Sequence, residues 1–329
     1  MSTFRTAAAT MQQLSQAGME EASRHGLRVG DLEHLFAALV LNDQLAGRAL
    51  RTIGLSLEGV RDATHRMNAA HLQRLGVTTM TAEPQRINFH ETRGYEWTPR
   101  AMDVLTAAGG KNAGDAEAVL RALLTEPSGL MNDLLAHLDT SADAVRTALA
   151  AEAAQPTPLS NGTRKSPDKR GVLVEIFVPA PSAAVWTLLA DPARLPEWHY
   201  LIGSVEVDTA AEIVPGVIWA VLAPTHQPDG TPVRVKERFR RHQMQLLVIE
   251  QPNRISWRSS YPDFPRRRAI ELSIQITAVA GGCQVRATSS GTAGPTWKTL
   301  LFSPLCLLQR FLDWISLTQI TAGISRAFR

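Results

Sequence analysis

A stretch at 151–171 splits the chain, and hydrophobic residues follow a different rhythm on each side of it. The stretch reads AEAAQPTPLSNGTRKSPDKRG, with three prolines, two glycines and no large hydrophobe except Leu159. Such a composition buries too little apolar surface to order itself and is read as a linker. Before it, Met11, Leu14 and Met19, and then Leu32, Leu35, Phe36 and Leu39, recur at helical spacing. Beyond it the period falls to two. The chain has 329 residues, and at roughly 100–200 residues per domain that length also calls for two domains. We therefore divide it into residues 1–150, a linker at 151–171, and residues 172–329.

In the second half, Val172–Val178 reads as a strand ended by Pro179-Ala180-Pro181. Ser182 is read as the cap of a short helix over Ala183–Leu189, and Asp191-Pro192 starts a turn towards Glu197-Trp198. Val217, Trp219 and Val221 share a face, as do Ile270, Leu272, Ile274 and Ile276. Strict alternation means one dry and one wet face on an antiparallel sheet. The same reading makes Val233–Arg241 a strand and turns Glu237 inward beside Val235 and Phe239. A buried carboxylate must be paired or neutralised, so Glu237 either pairs with an arginine or meets a polar ligand group. It is the one interior candidate for an acid or base. Trp219, Trp257, Tyr261 and Trp314 either line a pocket or fill the core. His199, His226 and His242 are read as surface histidines. Arg266-Arg267-Arg268, with Arg238, Arg240 and Arg241, makes a basic surface that is either solvated or faces an anionic group. Pro304 sits where a final helix would begin, with Leu305, Leu308, Leu312 and Ile315 on one face.

This order of elements, and the phrase Val178-Pro-Ala-Pro-Ser-Ala-Ala-Val-Trp-Thr-Leu-Leu-Ala-Asp-Pro-Ala-Arg-Leu-Pro-Glu-Trp198, resemble the START/polyketide-cyclase (SRPBCC) superfamily. Ile249–Trp257 fits its later hairpin. The resemblance implies an α+β helix-grip fold, a curved antiparallel sheet around a long C-terminal helix, enclosing a cavity for a hydrophobic small molecule. Trp219, Glu237, Phe239, Trp257, Tyr261 and Trp314 would then line that cavity.

The first half carries a faint internal repeat. GLRVGDLEHLFAAL (26–39) and ALRTIGLSLEGVR (49–61) are echoed by NAGDAEAVLRALL (112–124) and LLAHLDTSADAVR (134–146), about 84 residues on. Two copies of one helical unit imply a pseudo-twofold all-α bundle. Gly30-Asp31-Leu32-Glu33-His34-Leu35-Phe36 and Trp97-Thr98-Pro99-Arg100-Ala101 resemble the N-terminal double-repeat domain of Clp-type unfoldases, the ClpA/ClpC group. The second copy is degenerate, its first helix shortened to about Ala101–Ala108. The resemblance implies phosphoarginine or peptide binding through Glu33 and Glu117, and cyclic-peptide binding near Phe4 and Trp97, with Gln12 and Met102 departing from the family's polar contacts. Taken alone, either glutamate could equally be a first-turn residue favoured by the helix dipole.

No G-x-x-x-x-G-K-[ST] loop occurs anywhere, so the ATPase of that group has no counterpart here. Cys283 and Cys306 make no metal-ligand spacing and no disulfide framework, and no metal or other cofactor is expected. Lys plus Arg number 14 against 17 Asp plus Glu in 1–150, and 16 against 12 in 171–329. Neither balance is that of a dedicated nucleic-acid binder. The start of the chain has no apolar signal core, and Leu300–Leu317 is interrupted by Pro304, Gln309, Arg310 and Asp313, so a cytoplasmic protein without a membrane span is expected. The function expected is non-enzymatic binding by two modules: degrons, Clp protease components or Clp-targeting cyclic peptides at the first, a hydrophobic small molecule at the second. The alternative is a polyketide cyclase/dehydrase-like enzyme or a lipid or polyketide carrier.

Overall fold

The computed structural model describes residues 3–77, 87, 94–109, 114–155, 171–206, 212–226, 231–291 and 304–329. Side chains of 3–6, 8 and 304–310 are outside that description, as are most of the expected linker and the side chains of Phe4, Leu305 and Leu308. The chain forms two compact units, Met1–Leu159 and Ser160–Arg329, which are taken separately. The last helix of the first unit runs to Ala154, inside the stretch read as linker.

The first unit is helical. Its elements are α1 (Thr3–Ser23), β1 (Val29–Gly30), α2 (Leu32–Leu41), α3 (Leu45–Thr52), α4 (Leu57–Arg74), β2 (Glu96–Trp97), α5 (Pro99–Gly109), α6 (Ala116–Leu123), α7 (Leu130–His137) and α8 (Ala142–Ala154). Cap chemistry fixes the helix starts. Asp31 accepts from the Leu32 N–H at 2.8 Å and closes a capping box with His34, and Ser56 caps α4. Asp115 and Ser141 cap α6 and α8 in the same way, 84 and 85 positions further along. β1 and β2 pair in parallel, Val29 with Glu96 and Gly30 with Trp97. That pairing brings Asp31 to Arg100, where a bidentate ion pair and a 2.7 Å hydrogen bond from Thr98 Oγ1 join α2 to the start of α5. Leu32, Leu35, Phe36 and Leu39 are buried in one core with Leu120, Leu123 and Leu134.

The second unit is one seven-stranded antiparallel sheet with helices. Its strands are β3 (Val172–Val178), β4 (Ser204–Glu206), β5 (Ile218–Leu222), β6 (Arg241–Glu250), β7 (Arg254–Ser260), β8 (Ile270–Val279) and β9 (Gly282–Gly291). They are ordered β3-β9-β8-β7-β6-β5-β4, with α9 (Ser182–Ala190), α10 (Leu195–Trp198) and α11 (Pro304–Arg326) completing the unit. Asp191 Oδ1 accepts from the Ala193 N–H at 2.9 Å and so turns the chain into α10. Alternation reads correctly in β5 and β8: Trp219, Val221, Leu272, Ile274 and Ile276 are buried.

Two sequence expectations are corrected. Residues 233–236 form no strand, and Glu237–Phe239 is a 3-10 turn. The β5–β6 ladder begins at the Leu222–Arg241 pair, and among the described residues no strand pairs with 233–239. Glu237 therefore faces out, its side chain 85% exposed and 3.6 Å from Arg240. On α11, Phe311 and Leu312 are exposed, and Leu317, Ile320 and Ile324 form the buried stripe instead. Among the described residues no helix is long and apolar enough to cross a membrane.

Candidate ligand-binding interior and helical cavity

The interior of the second unit is apolar with a few polar atoms that lack partners. Trp219 and Trp257 flank β6, through the register pairs Trp219 with Met244 and Trp257 with Leu246. Their rings meet edge to face at 5.7 Å. Trp257 is fully buried and its Nε1–H has no acceptor. Trp198, at the end of α10, is likewise buried with an unpaired Nε1–H. Gly323 lets α11 close on this point, since a Cβ there would lie 2.2 Å from the Trp198 carbonyl oxygen. Each orphaned polar group costs about 1–3 kcal/mol, a cost that an acceptor on a bound molecule would remove.

His199 follows Trp198 and is also buried, with Nδ1 unpartnered. Burial, and secondly His242, push its imidazole down to about 4, so it is neutral at pH 7. His242 opens β6 and is 4% exposed. Its Nε2 lies 2.6 Å from the Phe239 carbonyl oxygen. A carbonyl only accepts, so Nε2 carries the proton and Nδ1 is the basic nitrogen. Desolvation again lowers the imidazole, against that hydrogen bond. The Tyr261 ring lies 4.5 Å from the His242 ring and 5.4 Å from Phe239, and burial raises its phenol. Tyr200 Oη is 2.9 Å from Ser316 Oγ on α11. His199 thus lies beside the Trp198 indole, ring centroids 5.6 Å apart, and His242 beside the Tyr261 ring, two buried imidazoles whose nitrogens can donate or accept a proton.

The expected lining residues fall into two pairs, Trp219 with Trp257 and Phe239 with Tyr261. Trp314 is half-buried against the core, and Glu237 points away. Sequence reasoning missed His199 and His242, reading both as surface residues; only His226 is exposed, 3.0 Å from Thr225 Oγ1. His242 had a signal, since it continues the inward series Met244 and Leu246 two residues earlier.

The first unit holds a cavity of about 320 Å³, lined by residues including Glu21, His25, Glu33, His34, Arg61 and Leu72. Glu33 Oε2 is buried with no partner, and desolvation raises its carboxyl. His34 Nδ1 lies 3.6 Å from Glu33 Oε1 but accepts from the Asp31 N–H at 3.1 Å. Its lone pair is thus used, and burial keeps the ring neutral. Glu117, 84 positions on, is half-exposed and paired with Arg121 at 2.7 Å, so the two glutamates differ in state. Trp97 packs on Gly18 and Gly30, where a Cβ would come within 2.6 and 2.8 Å of the indole. Gln12 is exposed and Met102 is 48% exposed.

Residues 170–304 match the family described as polyketide cyclase/dehydrase and lipid transport. The match covers most of the second unit, whose antiparallel sheet and long last helix are described above. Similar solved structures include a protein from Chromobacterium violaceum, 16% identical over 48% of this chain and 98% of that one, with a TM-score of 0.31. One from Mesorhizobium loti is 16% identical over 48% and 96%, with a TM-score of 0.33. One from Mycobacterium smegmatis is 17% identical over 48% and 88%, also at 0.33. No curated protein matches the chain.

Proposed function

We propose that the C-terminal domain binds a hydrophobic small molecule carrying a hydrogen-bond acceptor. The observation that carries this is the set of buried, unpaired polar atoms, Trp198 Nε1, His199 Nδ1 and Trp257 Nε1, in an otherwise apolar interior. Binding of the neutral probe N-phenyl-1-naphthylamine to the full chain, followed by its fluorescence, tests the reading. Saturable binding at micromolar concentrations is expected, together with a co-purifying apolar compound in mass spectra of extracts. No probe binding and clean extracts would sink it. Enzymatic cyclisation or dehydration is a second reading, favoured by the basic Nδ1 of His242 beside the Tyr261 phenol. It requires His242→Gln to abolish turnover of any substrate found and Glu237→Gln to leave it intact.

For the N-terminal unit we propose Clp-type recognition without a motor, acting as a decoy or adaptor towards degrons, Clp components or cyclic peptides. Its support is the recurrence of capped helices 84 and 85 positions apart and the unpartnered Glu33 Oε2 beside a cavity. Calorimetry with a phosphoarginine peptide should show binding that Glu33→Gln abolishes; no heat with the wild-type chain refutes the reading. Because Glu33 is held desolvated, Glu33→Gln should also raise stability at pH 7 by removing a buried charge. Glu117→Gln should not. Urea unfolding followed by circular dichroism reads the difference.

A further inference from the structure

Eight cationic side chains lie in two short segments of the second unit: Arg234, Lys236, Arg238, Arg240 and Arg241 in one, Arg266, Arg267 and Arg268 in the other. Glu237 in the first segment and Asp263, three residues before the second, oppose them, and both are engaged. Glu237 lies 3.6 Å from Arg240, and Asp263 receives hydrogen bonds of 2.8 and 2.5 Å from Arg241. Among the described residues, no carboxylate lies within ion-pair reach of Arg238 or Arg267. Aromatic rings hold both instead. The Arg238 guanidinium sits 4.9 Å from the Phe239 centroid and 4.7 Å from that of Phe264. The Arg267 guanidinium sits 5.0 Å from Phe239 and 4.6 Å from Tyr261. Phe239 in turn packs edge to face on Tyr261 and Phe264, at 5.4 and 5.6 Å.

Stacking uses the flat faces of a guanidinium and leaves its in-plane N–H fork free. Two guanidiniums held on one ring, neither in an ion pair among the described residues, thus keep N–H donors for an anion. A carboxylate or phosphate fits such a fork bidentately. The cluster is also continuous with the interior. Tyr261, 6% exposed, carries Arg267 over its ring and has the buried His242 4.5 Å away, so a single side chain separates the exposed guanidinium from the dry imidazoles.

We infer that Arg238 and Arg267 hold the anionic end, carboxylate or phosphate, of an amphiphile whose apolar body occupies the interior of this domain. The inference rests on the proposed hydrophobic-ligand function and adds a charge requirement to it. Aliphatic amphiphiles displacing N-phenyl-1-naphthylamine from the full chain test it: dodecanoate, dodecyl phosphate, methyl dodecanoate and dodecyltrimethylammonium. One or both anions should bind at least about tenfold tighter than the methyl ester, the low end for a charge-assisted contact. The cation should bind weakest, and the tighter anion identifies the end group. The preference should shrink between low and high salt, because exposed charges are screened. Arg238→Gln/Arg267→Gln should erase the preference while methyl ester and probe affinities stay unchanged, which also shows that the variant folds. Equal binding of the anions and the ester, or a preference that survives in the double variant, overturns the inference and leaves hydrophobic binding standing. Failure of the neutral probe itself to bind overturns both.

Discussion

Acidifying the full chain from pH 7 to pH 4 is expected to remove about 3 kcal/mol of stability from the C-terminal unit through His199 alone. The imidazole is fully buried, and its folded-state value near 4 lies below its ordinary 6.5. A group favoured as the neutral form in the folded state contributes fully above its unfolded value. That contribution drains away as pH falls from about 6.5 to about 4 and changes no further below, where both states are protonated. At 1.36 kcal/mol per unit, the gap gives the size of the effect. His242, lowered by the same desolvation, acts with the same sign. Urea unfolding at pH 7.5, 5.5 and 4.5, followed by tryptophan fluorescence, reads the C-terminal unit, because all the tryptophans except Trp97 lie in it. His199→Gln should flatten the dependence across that window. A variant that keeps the wild-type slope would show that His199 is not the group responsible.

The burial behind that prediction was not legible in the sequence, and the reason is physical. His199 sits in a short turn whose own spacing says nothing of depth. It is buried because α11 closes on the Trp198 carbonyl across Gly323, more than a hundred residues later. Where burial follows from local period, the sequence spoke plainly: Trp219, Val221, Leu272 and Ile274 alternate inward as expected, and Asp191 starts the turn expected of it. Alternation misled at 233–239. Val233, Val235 and Phe239 do turn partly inward, but a strand is made by its ladder, and β5 has already taken Arg241–Gln245 as partner. Glu237, the residue most favoured for chemistry, was lost with the strand. The basic run beside it proved more informative, because the rings that hold Arg238 and Arg267 come from loops which the sequence could not bring together. On α11 two apolar stripes compete, and only packing decides that Leu317, Ile320 and Ile324 face the sheet rather than Phe311 and Leu312.

Asp31→Ala should cost the N-terminal unit about 2–4 kcal/mol, whereas Asp115→Ala, at the matching position of the later helix series, should cost only about 1 kcal/mol. The smaller figure is that of a lost N-cap, since Asp115 accepts from the Ala118 N–H at 2.9 Å and caps α6. Asp31 does the same for α2 and in addition holds Thr98 Oγ1 and the Arg100 fork, tying residues 67 and 69 positions apart in sequence. Charge-assisted bonds of this kind are worth about 1.5–3 kcal/mol; the lower half applies here, because Arg100 is 39% exposed and partly screened. Burial raises the Asp31 carboxyl, but the bonds from Arg100 and Thr98 outweigh it and leave the group below its usual range. Its contribution is therefore present above the ordinary carboxylate value and lost as pH falls through the lowered one. Hydrogen–deuterium exchange of the α2 and α5 peptides in the full chain separates cap from clasp. Asp31→Ala should expose both helices together, Asp115→Ala should loosen α6 alone, and Arg100→Met should add little once Asp31 is gone. If α5 stays protected in Asp31→Ala, the two helix series are held together by their shared apolar core and not by this ion pair.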